Sequence, residues 1–120
     1  MAGPAPTGAG KALSLEVPGL KQLSVLRKLA PEFVELVERR HAILQRVLFA
    51  QPIGRRALAA LLEWPERMVR KEIDFLRDAG YLISDSAGMS ISPMGEQVLE
   101  DLKQIIRELH GLSDVERELE

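Results

Sequence analysis

Arg67, Arg70 and Lys71 are spaced by three and four positions, so a helix carrying them presents all three cations on one face. Val69, Ile73 and Leu76 repeat at the same spacing on the opposite side and form its apolar stripe. The cations fall in the first turns, where unpaired backbone N–H groups already carry positive partial charge and acids are the stabilising choice. A backbone phosphate, or the acceptor edge of a guanine, would supply the negative charge this face lacks. Glu66, Arg67, Arg70, Lys71 and Asp74 are therefore the candidate residues for reading DNA. A plainer reading makes Arg67, Arg70 and Lys71 solvated cations paired with Glu63, Glu66 and Asp74. Arg55 and Arg56 repeat the pattern, opening a shorter apolar segment just after Gly54, and are candidates for phosphate contacts. Two such coincidences on neighbouring segments favour the DNA reading.

The elements that must position these residues follow from periodicity and punctuation. Leu20, Leu23, Leu26 and Leu29 suggest a few helical turns. Pro31 suits a first helical turn, and Phe33, Val37, Leu44 and Val47 carry that helix to Ala50. Pro52 and Gly54 break the chain, and a short helix follows from Arg55 to Glu63 with Leu58, Leu61 and Leu62 inward. Trp64, more suited to anchoring the core than to function, and Pro65 form a tight turn. The next helix runs from Glu66 to Ala79 and ends at Gly80. This is helix-turn-helix spacing.

Two β-prone runs, Tyr81–Ile83 and Met89–Ser92, flank the small polar loop Ser84–Gly88, which predicts a hairpin wing. Ser84, Ser86 and Gly88 are its candidate contact residues, although the loop has no Lys or Arg. A long helix is expected from Pro93 to about His110, interrupted at Gly111. Ser113 and Glu116 then have capping-box spacing for a further helix. The fold expected is mainly α: a winged helix-turn-helix over residues 20–110, with a short β-hairpin wing and a long C-terminal helix. Residues 1–19 read as a flexible leader. Val98, Leu102, Ile105 and Leu109 make a wide stripe on the last helix, able to pack on the domain and to pair with a second copy; they are the dimerisation candidates.

Composition narrows the function further. The 120 residues include no cysteine, which removes disulfides, thiol nucleophiles and cysteine-based zinc sites. No apolar run reaches membrane-spanning length, and no signal sequence opens the chain, so a cytoplasmic location is expected. His41 and His110 are far apart in sequence and neither has a ligand set beside it. No catalytic motif is recognisable, and neither an enzyme, a metal nor a cofactor is expected in this chain. The net charge of −2 argues against a polyanionic partner only until it is divided along the chain. Residues 1–95 carry 13 Lys and Arg against 10 Asp and Glu, whereas residues 96–120 carry three against eight. The body is mildly basic and the acidity lies at the C-terminal end.

The run Pro52-Ile53-Gly54-Arg55-Arg56-Ala57-Leu58, with Glu66-Arg67-Met68-Val69-Arg70 and Gly88-Met89-Ser90-Ile91-Ser92, resembles the N-terminal DNA-binding domains of bacterial central glycolytic genes regulators. These belong to the sugar-responsive SorC/DeoR-type repressors, and the resemblance extends from about Leu20 to Glu120. It implies a repressor that binds double-stranded operator DNA, with Arg67, Arg70 and Lys71 on the recognition helix and Arg55 and Arg56 near phosphates. It also implies a separate effector domain taking a phosphorylated sugar, fructose 1,6-bisphosphate, with residues 111–120 beginning the connector to it. Pro65 departs from the serine-type cap usual before the recognition helix. A homo-oligomer, dimer or higher, is the expected state. The alternative weighed is a winged-helix protein–protein interaction module that does not bind DNA.

Overall fold

A computed structural model describes residues 20–119, with side chains from 22 to 111. Its elements, in order, are α1 (Leu20–Leu29), α2 (Pro31–Ala50), α3 (Arg55–Leu62), α4 (Glu66–Asp78), β1 (Leu82–Asp85), β2 (Gly88–Ile91) and α5 (Pro93–Leu119). This is the expected mainly helical, winged helix-turn-helix order. The leader expected over residues 1–19 lies outside the described residues.

Two apolar clusters hold the elements together, and α2 runs through both. Ile43, Leu44 and Val47 of α2 pack with Leu58 and Ala59 of α3, Val69, Ile73 and Leu76 of α4, and Leu82, Met89 and Ile91 of the hairpin. Trp64 packs half-buried against this cluster, in the anchoring role expected of it. Leu23 of α1, Val34 of α2, and Ile106 and Leu109 of α5 form the second cluster. On α2 the inward stripe departs from expectation only at its start: Val34 is buried and Phe33 is half exposed, because Val34 and Val37 face the cluster formed with α1 and α5.

Each boundary has a local cause. Pro31 opens α2 at a position where its missing N–H is no loss. At the end of α4, the Tyr81 N–H donates to the Leu76 carbonyl at 2.9 Å and the Gly80 N–H to the Arg77 carbonyl at 3.0 Å. That paired closure needs the left-handed Gly80, whose φ is +90°. The β1–β2 register pairs Asp85 with Gly88, so the loop is only Ser86 and Ala87, tighter than the five residues expected. Asp85 Oδ1 accepts the Ala87 N–H at 2.8 Å. Ile53 adds a single-residue bridge beside β2, exchanging backbone hydrogen bonds with Met89 at 3.1 and 2.8 Å. A Cβ on Gly88 (φ +129°) would come within 2.9 Å of the Ile53 backbone, so this glycine serves the packing of the wing.

Ser92 ends the hairpin as a cap. Its Oγ donates to the Gly80 carbonyl at 2.6 Å and accepts the Gly95 N–H at 3.0 Å. Gly95 lets α5 approach the strand start closely: a Cβ there would collide with the Tyr81 carbonyl oxygen and lie 2.7 Å from Ile91 Cγ1. Gly95→Ala is therefore expected to lower stability by about 1–3 kcal/mol. Urea unfolding checks this; an unchanged midpoint would show that α5 can shift freely.

The long helix differs from expectation at its end. It continues through Gly111 to Leu119, so Ser113 and Glu116 do not open a new helix. A single interior glycine costs about 1 kcal/mol, which the cooperativity of an established helix absorbs. Of the two roles weighed for the Val98, Leu102, Ile105 and Leu109 stripe, the structure shows packing within the domain. Leu109 is 2% exposed, and the other three are half-buried against the two clusters.

That packing also brings the two histidines close enough to interact. Burial, and secondarily the charge of His110, hold the His41 pKa below its ordinary 6.5. A base depressed on folding gives its full stabilisation above pH 6.5, then loses it as pH falls through the folded value, because the unfolded chain takes up the proton first. The chain should unfold at lower urea concentration at pH 5.5 than at pH 7.5, and His41→Gln should narrow that difference.

Candidate nucleic-acid interface

The helix-turn-helix is closed by backbone geometry alone. Glu63 takes the left-handed conformation (φ 57°), and its N–H donates to the Ala60 carbonyl at 3.2 Å. The Trp64 N–H donates to the Ala59 carbonyl at 3.1 Å. Pro65 then places its carbonyl to accept from Met68 and Val69, both at 3.1 Å, so α4 starts at Glu66 without a side-chain cap. The missing serine-type cap shifts nothing: helix α4 begins where the sequence places it. Val69, Ile73 and Leu76 are buried, which turns Arg67, Arg70 and Lys71 outward, and all three are exposed. Arg55 and Arg56 open α3 behind Gly54 and are exposed as well.

Glu66 connects the two helices at this surface. Its Oε1 lies 3.7 Å from Arg56 Nε on α3 and 3.6 Å from Arg70 Nη2 on α4. Asp74 is half-buried and pairs with Arg77 at 3.3 Å, further down the helix. So the structure brings Arg56, Glu66 and Arg70 together across two consecutive helices, with Arg55, Arg67 and Lys71 exposed on the same two helices and Asp74 engaged with Arg77. At the wing, Ser84 and Ser86 are exposed, and Gly88 is held against Ile53.

One residue that positions this surface was not legible as such in the sequence. Glu72 lies on the inward side of α4 and is only 3% exposed. Its carboxylate accepts from Arg40 Nε at 2.7 Å and from Arg39 Nη1 at 3.2 Å, both on α2. The Arg40 guanidinium also lies 3.7 Å from the centre of the Phe75 ring, a cation–π contact from α2 to the helix that carries Glu72. The signal was available: Glu72 is three positions after Val69 and four before Leu76, so it falls on the apolar stripe, where a carboxylate requires a partner.

Among the described residues, no group of three His, Cys, Asp or Glu side chains converges as a metal site, and no helix is long and apolar enough to cross a membrane. Residues 36–106 match the family model described as the CggR N-terminal DNA binding domain. The chain is 37% identical over 97 residues to the central glycolytic genes regulator of Priestia megaterium (strain DSM 319 / IMG 1521), covering 81% of this chain and 28% of that protein. It is 32% identical over 93 residues to the central glycolytic genes regulator of Bacillus subtilis (strain 168), covering 78% and 27% respectively. The chain thus spans little more than a quarter of the length of these relatives.

Proposed function

The chain belongs to the family of CggR N-terminal DNA binding domains, and from that premise we propose that it is the operator-reading part of a repressor of central glycolytic genes. The observation that supports this most directly is the shared exposure of Arg55, Arg56, Arg67, Arg70 and Lys71 on two consecutive helices. In a helix-turn-helix the first helix crosses the DNA backbone and the second enters the major groove. Arg55 and Arg56 then meet phosphates, while α4 offers Arg67, Arg70 and Lys71 to base edges. The acidic wing tip contributes backbone or hydroxyl contacts from Ser84 and Ser86 at most. Such a protein acts in the cytoplasm, by binding and not by catalysis. Its effector is a phosphorylated sugar, fructose 1,6-bisphosphate, taken by a part of the protein other than this chain. The assembly reading two half-sites is a homo-oligomer, for which the parts of Val98, Leu102 and Ile105 left exposed are candidate contacts.

Binding to duplex DNA should weaken steeply with salt, log affinity falling linearly with log salt at a slope of about −0.9 per phosphate contact. Anisotropy titrations at several salt concentrations measure the slope. A duplex affinity undetectable even at low salt would reject the proposal. Light scattering with and without duplex gives the stoichiometry.

A further inference from the structure

We propose that Glu66 is a specificity-determining residue of this surface: its carboxylate restrains Arg56 and Arg70 from non-specific phosphate contacts and accepts a hydrogen bond from a cytosine amino group in a matching sequence. The inference rests on the DNA-binding reading above and adds a role for the one acid that sits between its cations.

The geometry is specific. A single oxygen, Glu66 Oε1, faces a guanidinium from each of the two helices. As the first-turn acid of α4, Glu66 suits the helix dipole, but that does not require Arg56 of the other helix to meet it. The side chains of Arg56, Arg70 and Glu66 are 90%, 53% and 43% exposed. Exposed pairs of this kind contribute little, and α4 is already anchored by Val69, Ile73 and Leu76. The acids near this surface include Glu63 in the turn, Glu66, Asp74, which is bound to Arg77, and Glu72, which is bound to Arg39 and Arg40 of α2. Of these, Glu66 is the one that pairs with cations of both helices.

A carboxylate at that place has opposite consequences for the two kinds of DNA contact. A phosphate brought to Arg56 or Arg70 also meets the Glu66 charge, so every duplex suffers repulsion whatever its sequence. In the major groove, however, cytosine presents an amino donor that a glutamate can accept, whereas guanine and thymine offer it no donor and adenine sets its N7 acceptor beside the amino group, where it repels a carboxylate. Arg70, released from Glu66 at the same moment, is freed for a guanine edge or a nearby phosphate. Penalising all sequences and relieving one is how a binding surface gains discrimination.

The test uses the 120-residue chain, a sequence selected by the wild type from a randomised duplex pool, and a mixed-sequence duplex of equal length. For Glu66→Gln, affinity for the mixed duplex should rise about three- to tenfold, affinity for the selected duplex should stay or fall, and one cytosine preference should disappear from a repeated selection. Glu66→Asp keeps the charge and shortens the reach, so it should retain the low mixed-duplex affinity while weakening the cytosine preference. If Glu66→Gln changes both affinities by one factor, or neither, with the selected sequence intact, the role of Glu66 is overturned and DNA recognition stands. If the wild type selects no sequence from the pool, the operator-reading proposal and this role fall together.

Discussion

Arg70→Ala and Arg67→Ala should each reduce the preference for the selected duplex over a mixed one by about 1–3 kcal/mol, roughly a 5- to 150-fold change in the affinity ratio. The expectation follows from where burial ends on α4. Val69, Ile73 and Leu76 hold the helix in the core, and the arginines extend away from them, so truncation leaves the packing untouched. The unfolding midpoint of both variants should match the wild type. Arg55→Ala and Arg56→Ala should behave differently, because in the proposed docking α3 meets the backbone, where no sequence is read. Each should weaken selected and mixed duplexes alike and reduce the salt slope by about one. Anisotropy on both duplexes over a range of salt separates the patterns. If Arg67→Ala and Arg70→Ala weakened both duplexes equally, α4 would be a phosphate-binding helix and the recognition assignment would be wrong.

The exposure of these cations could be anticipated because it depends on local sequence. The Val69, Ile73 and Leu76 spacing fixes which face of α4 is buried, and so which face carries Arg67, Arg70 and Lys71. Gly80 marks the end of α4, and Pro31 the start of α2, through backbone constraints that no distant contact overrides. What local reading could not supply were pairings made across the fold. Ile53 bridges to Met89 only because the hairpin folds back to it, and Gly88 is needed because that approach is close. The stripe on α5 was visible, but its partner was not: whether Leu109 meets α1 or another molecule depends on where α1 packs. Gly111 was over-read as a break, since propensity at one position is weak against a helix already formed on both sides.

Glu72 is the long-range pairing with the largest expected effect. Glu72→Ala should lower stability by about 2–3 kcal/mol, or roughly 10–20 °C in Tm for a domain of this size. Breaking a fully buried ion pair can cost about 3–5 kcal/mol, because the remaining charge has no access to water. Here the Arg39 and Arg40 side chains are 31% and 28% exposed and can partly rehydrate, which reduces the loss. The two arginines should not be equivalent. Arg40 makes the shorter contact, at 2.7 Å, and covers the Phe75 ring, whereas Arg39 lies at 3.2 Å. Arg39→Ala leaves Glu72 its better partner and should cost less than Arg40→Ala, which also uncovers Phe75. Thermal unfolding of the three variants gives the order directly. A loss below about 0.5 kcal/mol for Glu72→Ala would place this pair with ordinary surface contacts. The pairing also bears on DNA reading, because Glu72 and Phe75 tie to α2 the helix on which Arg67, Arg70 and Lys71 stand exposed. A Glu72→Ala chain that remains folded at low temperature, yet discriminates less between duplexes than the wild type, would show that this buried clamp fixes the aim of the recognition helix as well as its stability.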